Sequence, residues 1–197
     1  MNNSASKYKI WIYLLASGGL VLVSLLSYEF FYRYPIWNLR AFRVSSDSMC
    51  PTVCKDERVF VQMLYGQPYS PKRGDVIAFL YGENRVVLIK RVVGLAGDTI
   101  SSGSNGAILV NGQPWLAPPV CGRPVLEPDQ KLSPAAYPDF QETRVSPGQL
   151  FVIGDNLYHS LDSRMEQFGP VTPDTVIGLA AMIYWSPGSA RIGCPVS

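Results

Sequence analysis

Histidine is almost missing from this chain of 197 residues: His159 is the only one, so a Ser-His-Asp hydrolase would have to be built on that single base. Charge is also scarce. Charged residues make up 16% of the chain, below the roughly 25% of ordinary soluble proteins. The net charge is only +2, with no run of Lys or Arg and no basic stripe interleaved with aromatics, which excludes nucleic acid as a partner. Cysteine is limited to Cys50, Cys54, Cys121 and Cys194. The C-x3-C of Cys50 and Cys54 has no second pair to match it, so the set does not read as a zinc site. It fits two disulfides in an oxidising compartment, with three connectivities open. Internal repeats are absent.

The charge deficit is local. Residues 10–28, IWIYLLASGGLVLVSLLSY, run nineteen positions without a charge, nearly enough at about 1.5 Å per residue to cross a hydrocarbon core of about 30 Å. Lys7 and Lys9 precede this stretch, and no small-x-small cleavage site follows it, which favours a retained anchor over a removed export signal. Tyr28, Phe30, Phe31, Tyr32 and Tyr34 come next, as in an aromatic belt at a membrane surface. Basic residues on both flanks leave the orientation open. The predicted organisation is a tail over residues 1–9, an anchor over 10–28 and one domain over 29–197.

Beyond the anchor, short apolar runs broken by Gly, Pro, Asn and Asp predict a mainly β domain. Strands are expected over 58–64, 75–81, 85–93, 107–110, 150–153 and 175–185, each rich in β-branched or aromatic residues. Asn111-Gly112 marks a two-residue hairpin turn, because a type I′ turn needs positive φ at both central positions. Residues 114–147 hold eight prolines in thirty-four positions. Proline removes ladder donors, so this stretch reads as an inserted cap or loop rather than central strands.

Three islands carry chemistry. The first, Ser46-Asp47-Ser48-Met49-Cys50-Pro51-Thr52, puts two serines one residue apart, able to supply a nucleophile and a nearby donor for the oxyanion that attack creates. Read alone, it is an ordinary polar turn. In the second, Lys90-Arg91 interrupts an apolar strand, and alternation puts Lys90 on the face of Leu88 and Val92 with Arg91 on the other. Burial there would lower the lysine pKa and make it a base near neutral pH, whereas an exposed lysine would only snorkel. The third island, residues 154–164, is dense in turn-forming and polar residues directly after a strand. Within it, Ser160 is placed to bond the base, and Asp162 and Arg164 to pair.

Together these islands resemble the type I signal peptidases, Ser/Lys membrane peptidases that remove signal peptides. Residues 46–52 match the family's S-x-S-M-x-P-T, Gly74-Asp75-Val76 its G-D-[IV], Lys90 to Gly94 with Gly97-Asp98 its K-R-x-x-G-x-x-G-D, and residues 154–164 its G-D-N-x-x-x-S-x-D-S-R, in the family's order. Departures are Leu157, which is similar to the mitochondrial inner-membrane branch, Ala96 where proline is usual, and Met165-Glu166-Gln167 lengthening the spacing to Phe168. The resemblance implies an antiparallel, partly open barrel-like catalytic domain. It implies Ser48 as nucleophile, Lys90 as base, Ser160 as the lysine's orienting partner and Ser46 as oxyanion donor. Asp155, Asp162 and Arg164 would give structural support, and no cofactor or metal is needed.

The same resemblance implies preprotein signal peptides as substrates, the lipid bilayer and the export machinery as partners, and a bacterial cytoplasmic membrane location with the domain outside. Alternatives are dedicated maturation of one substrate such as a conjugative pilin, and a non-catalytic adaptor for exported chains. The same dyad also occurs in self-cleaving soluble repressors. There a DNA-binding domain would stand where this chain has its anchor.

Overall fold

The computed structural model describes residues 19–24, 27–28, 38–103, 106–119, 121 and 140–196. The chain divides into two units, Met1–Trp37 and Asn38–Ser197. In the first, residues 19–24 and 27–28 are helical, and Leu20, Val21, Leu22 and Val23 are all exposed. Most of the anchor expected over 10–28, and the aromatic belt after Tyr28, lie outside the described residues. Among those described, no helix is long and apolar enough to cross a membrane.

The second unit is mainly β. Its larger sheet is antiparallel between all neighbours and holds β1 (Leu39–Arg43), β2 (Arg58–Met63), β3 (Val76–Tyr81), β4 (Val86–Gly94), β9 (Phe151–Ile153) and β10 (Val176–Trp185). Their order is β1-β2-β10-β3-β4-β9, so the last strand of the chain is inserted between the second and third. A smaller sheet, ordered β7-β6-β5-β8, is formed by β5 (Thr99–Ser102), β6 (Ile108–Val110), β7 (Gln113–Pro114) and β8 (Thr143–Arg144). The expected strands over 58–64, 75–81, 85–93, 107–110, 150–153 and 175–185 are all present to within one residue at either end.

Alternation explains which residues the large sheet buries. Val59, Val61, Val76, Ala78, Ala180 and Ile183 fill one face, while Ile77, Phe79, Val92 and Val176 fill the other against Leu150, Val152, Phe168 and Val171. Each Val, Leu, Ile or Phe side chain so removed from water contributes about 1.5–3 kcal/mol. The lengthened spacing after Arg164 is taken up by a 3-10 turn, Glu166–Phe168, which stacks Phe168 on Tyr81 and sets it edge-on to Phe79.

A third cluster, with Val93, Ile100, Ile108, Val145 and Phe151, joins the two sheets. Gly94 lies at that junction: a Cβ there would stand 2.8 Å from Phe151 Cβ and 2.9 Å from Ile100 Cδ1. The hairpin between β6 and β7 turns at Asn111 (φ 52°) and Gly112 (φ 76°), as the dipeptide predicts. Of the proline-rich stretch, the described ends form β7 and β8, the two outer strands of the small sheet, and Pro114 accordingly sits at an edge. Residues 122–139 of that insertion lie outside the described residues.

Candidate active site

Residues 44–57 connect β1 to β2 as a long loop closed at its base, where Val44 N–H donates to Glu57 O (2.9 Å) and Asp56 N–H to Val44 O (2.8 Å). Inside it the chain turns tightly, with Cys50 N–H donating to Asp47 O and Val53 N–H to Met49 O. Met49 and Val53 are buried in the core, and a disulfide joins Cys50 to Cys54. Apolar anchoring and the cross-link fix the turn that carries Ser48. The second disulfide is Cys121–Cys194, which settles the open connectivity.

Ser48 is held at both of its ends. Lys90 Nζ donates to Ser48 Oγ at 2.7 Å, and Asn156 N–H donates to Ser48 O at 3.0 Å. Ser46 Oγ donates to Ser48 Oγ at 3.3 Å. Lys90 is only 3% exposed, and its pKa is lowered from 10.5 to about 8. Burial is the main cause; the negative charges of Asp162 and Asp155 oppose it, and Arg164 adds to it.

The third island wraps this pair. Asp162 is fully buried and accepts Gly154 N–H (2.9 Å) and Arg164 Nε (2.8 Å) and Nη2 (3.0 Å). Asp155 accepts Arg91 Nε (2.8 Å) and Nη2 (2.7 Å) and also the Thr52 hydroxyl. A Cβ on Gly154 would stand 2.3 Å from both Ser160 Oγ and Ser48 O, so only glycine lets the island lie against the Ser48 turn. Ser160 is thus brought close. Its hydroxyl is buried and has no hydrogen-bond partner among the described residues, Lys90 included. His159 is exposed at the rim of the site, and its backbone N–H donates to Asn156 O.

A cleft of about 430 Å³ opens over Ser48 and Lys90, with Phe42, Met49, Ile89 and Leu161 among its walls. It follows β4, whose pairing with β9 covers only Arg91 to Gly94, so its first five residues have no strand on that side among the described residues.

Three residues that support the Ser48–Lys90 contact carry no local signal in the sequence. Alternation puts Arg91 on the face away from Lys90, but nothing local reports that this face is buried too or that Asp155, 64 residues away, meets it. Thr52 looked like part of a turn, and Gly154 like a loop residue. Only the family pattern, which contains all three, signalled them.

A serine hydroxyl within hydrogen-bond reach of a buried lysine whose pKa is near 8, beside a second hydroxyl and below an open cleft, has the parts of a nucleophilic hydrolase site. The comparisons with known proteins narrow this class. The chain belongs to the family described as signal peptidase, peptidase S26, whose profile matches residues 13–185. It is 29% identical over 201 residues to a probable signal peptidase I of Mycobacterium leprae, covering 75% of this chain and 69% of that protein. It is 33% identical over 152 residues to a signal peptidase I of Leptolyngbya laminosa, covering 72% and 66%. The chain thus spans about two thirds of the length of these curated relatives. A solved signal peptidase I of Enterococcus faecalis aligns at 29% identity over 56% of this chain and 97% of its own, with a TM-score of 0.41, too slight an overlap to argue from.

Proposed function

We propose that this chain is a membrane-anchored serine endopeptidase that removes signal peptides from exported preproteins, with Ser48 as nucleophile and Lys90 as general base. The observation that carries the reading is the 2.7 Å contact between Lys90 Nζ and Ser48 Oγ at a buried lysine. Family membership supports the substrate class.

In the proposed cycle, neutral Lys90 takes the Ser48 proton as Oγ adds to the scissile carbonyl carbon. Ser46 Oγ and the Ser48 N–H face the oxyanion. Lys90 then passes its proton to the departing amine, the C–N bond breaks, and the signal peptide remains as an ester on Ser48. Lys90 next takes a proton from water as its oxygen adds to the ester carbon; the C–Oγ bond then breaks, Lys90 returns the proton to Ser48 Oγ, and the signal peptide leaves with a free carboxyl group. Arg91, Asp155, Asp162 and Arg164 hold the frame. A substrate in extended form can add along the uncovered part of β4, offering its backbone to the edge and its side chains to the cleft. Phe42, Met49 and Ile89 line the cleft that those side chains would enter.

The anchor at 10–28 belongs to the same proposal. It is free of charge, and the described helical residues within it expose Leu20 to Val23. Such an anchor holds the domain, residues 29–197, at the extracytoplasmic face, where the bond to be cut emerges and disulfides persist. The test is a strain carrying Ser48→Ala. Precursors with uncleaved signal peptides should accumulate, and their number separates a general role from a dedicated one; normal processing together with full activity of purified Ser48→Ala protein would overturn the proposal.

A further inference from the structure

The segment after β10 returns beneath the loop that carries Ser48. It folds back on its own strand, with Ile183 N–H donating to Cys194 O (2.9 Å), Gly193 N–H to Ile183 O (2.8 Å) and Val196 N–H to Ala181 O (3.0 Å). Cys194 is tied to Cys121. From this fastened tail Arg191, 7% exposed, reaches inward. Its Nη1 donates to both carboxylate oxygens of Glu57 at 2.8 Å, and its Nη2 donates to the Thr52 carbonyl.

Glu57, itself buried, has two further bonds: it accepts Cys54 N–H (2.8 Å) and Ser186 Oγ (2.8 Å). One buried ion pair therefore holds the second half of the loop at Thr52, at Cys54 and through Glu57 itself. Thr52 is four residues past Ser48, and the Val53 N–H to Met49 O bond closes the turn between them. That turn is the covalent and hydrogen-bonded path between Thr52 and Ser48.

Stability alone does not account for such a pair, since well-packed apolar residues often replace a buried ion pair without loss. What the guanidinium provides is direction: a planar fork that meets a carboxylate and a carbonyl at fixed angles. Neither Arg191 nor Glu57 lines the cleft, so substrate binding does not depend on them directly. We propose that Arg191, acting through Glu57 and the Thr52 carbonyl, is a positioning residue for the hydrolysis, keeping Ser48 Oγ within hydrogen-bond reach of Lys90 Nζ. This rests on Ser48 being the nucleophile.

The experiment uses the full chain in bilayers and measures, in one turnover, the acylation of Ser48 by a peptide ester, with thermal unfolding followed in parallel. Wild type and Ser48→Ala come first: if wild type is not acylated, the reading of Ser48 fails and not merely this inference. In Arg191→Gln the acylation rate should fall about tenfold while KM stays within about twofold, because misplaced reacting groups slow chemistry more than binding. Arg191→Lys keeps charge beside Glu57 but cannot bridge to Thr52, and should fall between the two. A purely structural pair would lower the melting temperature and leave the rate of the folded protein unchanged. Rates within twofold of wild type in both folded variants overturn the proposal, as does failure of both to fold.

Discussion

Arg91 follows Lys90 in β4 and points to the opposite face, where Asp155 accepts its Nε and Nη2 at 2.8 and 2.7 Å. Both side chains are buried, so this ion pair locks the strand's facing and, with it, the direction in which Lys90 approaches Ser48. Leaving one partner of such a pair alone costs about 3–5 kcal/mol. Asp155→Ala should accordingly lower the unfolding free energy by about that amount and reduce peptidase activity in whatever protein folds, checked by denaturant titration and by peptide cleavage.

The dyad itself should tolerate nothing. Ser48→Ala and Lys90→Ala are each expected to lower kcat by roughly 10⁴ or more, and Lys90→Arg should do the same, since a guanidinium does not give up its proton. His159→Ala should cleave at close to the wild-type rate. A Lys90→Ala variant that still cleaves, beside a dead His159→Ala, would transfer the base to the histidine.

The proposed general base must be neutral to act, and the Lys90 pKa is lowered to about 8. The kcat/KM profile should therefore rise with pH through an apparent pKa of about 8 and level off above it. A peptide substrate without titrating groups isolates that limb.

The same shift acts on stability with a sign that can be checked. Below about pH 8 the native state must keep a charged lysine buried, and the depression from 10.5 corresponds to about 3 kcal/mol lost relative to an unperturbed group. Between pH 8 and 10.5 the unfolded chain binds more protons, so stability recovers as pH rises. Lys90→Met should thus melt higher than wild type at pH 7, with the gap closing above pH 10, while losing peptide cleavage.

Gly154→Ala places a methyl group 2.3 Å from the Ser48 carbonyl oxygen and from Ser160 Oγ. Backbone on one side cannot give way cheaply, and overpacking of this kind costs about 1–3 kcal/mol. Activity should fall further than stability, because the atom displaced belongs to the Ser48 residue. Circular dichroism melts and peptide cleavage on the same sample separate the two.

How much of this was legible in sequence varied with the distance over which each interaction acts. The six strands rich in Val, Ile and aromatics are local signals, and each formed within a residue of its expected ends. β1 was missed because Leu39–Arg43 places two arginines in five residues at a sheet edge, where partner and not composition decides. β5, β7 and β8 are short, and their pairing partners define them. Ser48 and Lys90 could be nominated from ordered motifs, and the structure places them in contact; Ser160, expected to bond the lysine, lies close by against Gly154 without doing so. The pairs Arg91–Asp155 and Arg191–Glu57 span 64 and 134 residues, and no periodicity reports on contacts of that range.

The sheet order has a consequence for how the molecule is made. β10 lies between β2 and β3, so the strands on either side of it share no ladder until residues 176–185 have emerged. Ser48 and Lys90 belong to those two halves, on the β1–β2 and β3–β4 sides respectively. A chain that stops short of Val176 has both groups but no ladder between the strands that carry them. Truncation after Asp174 should therefore cost the Ser48–Lys90 alignment although every residue of the three islands is retained.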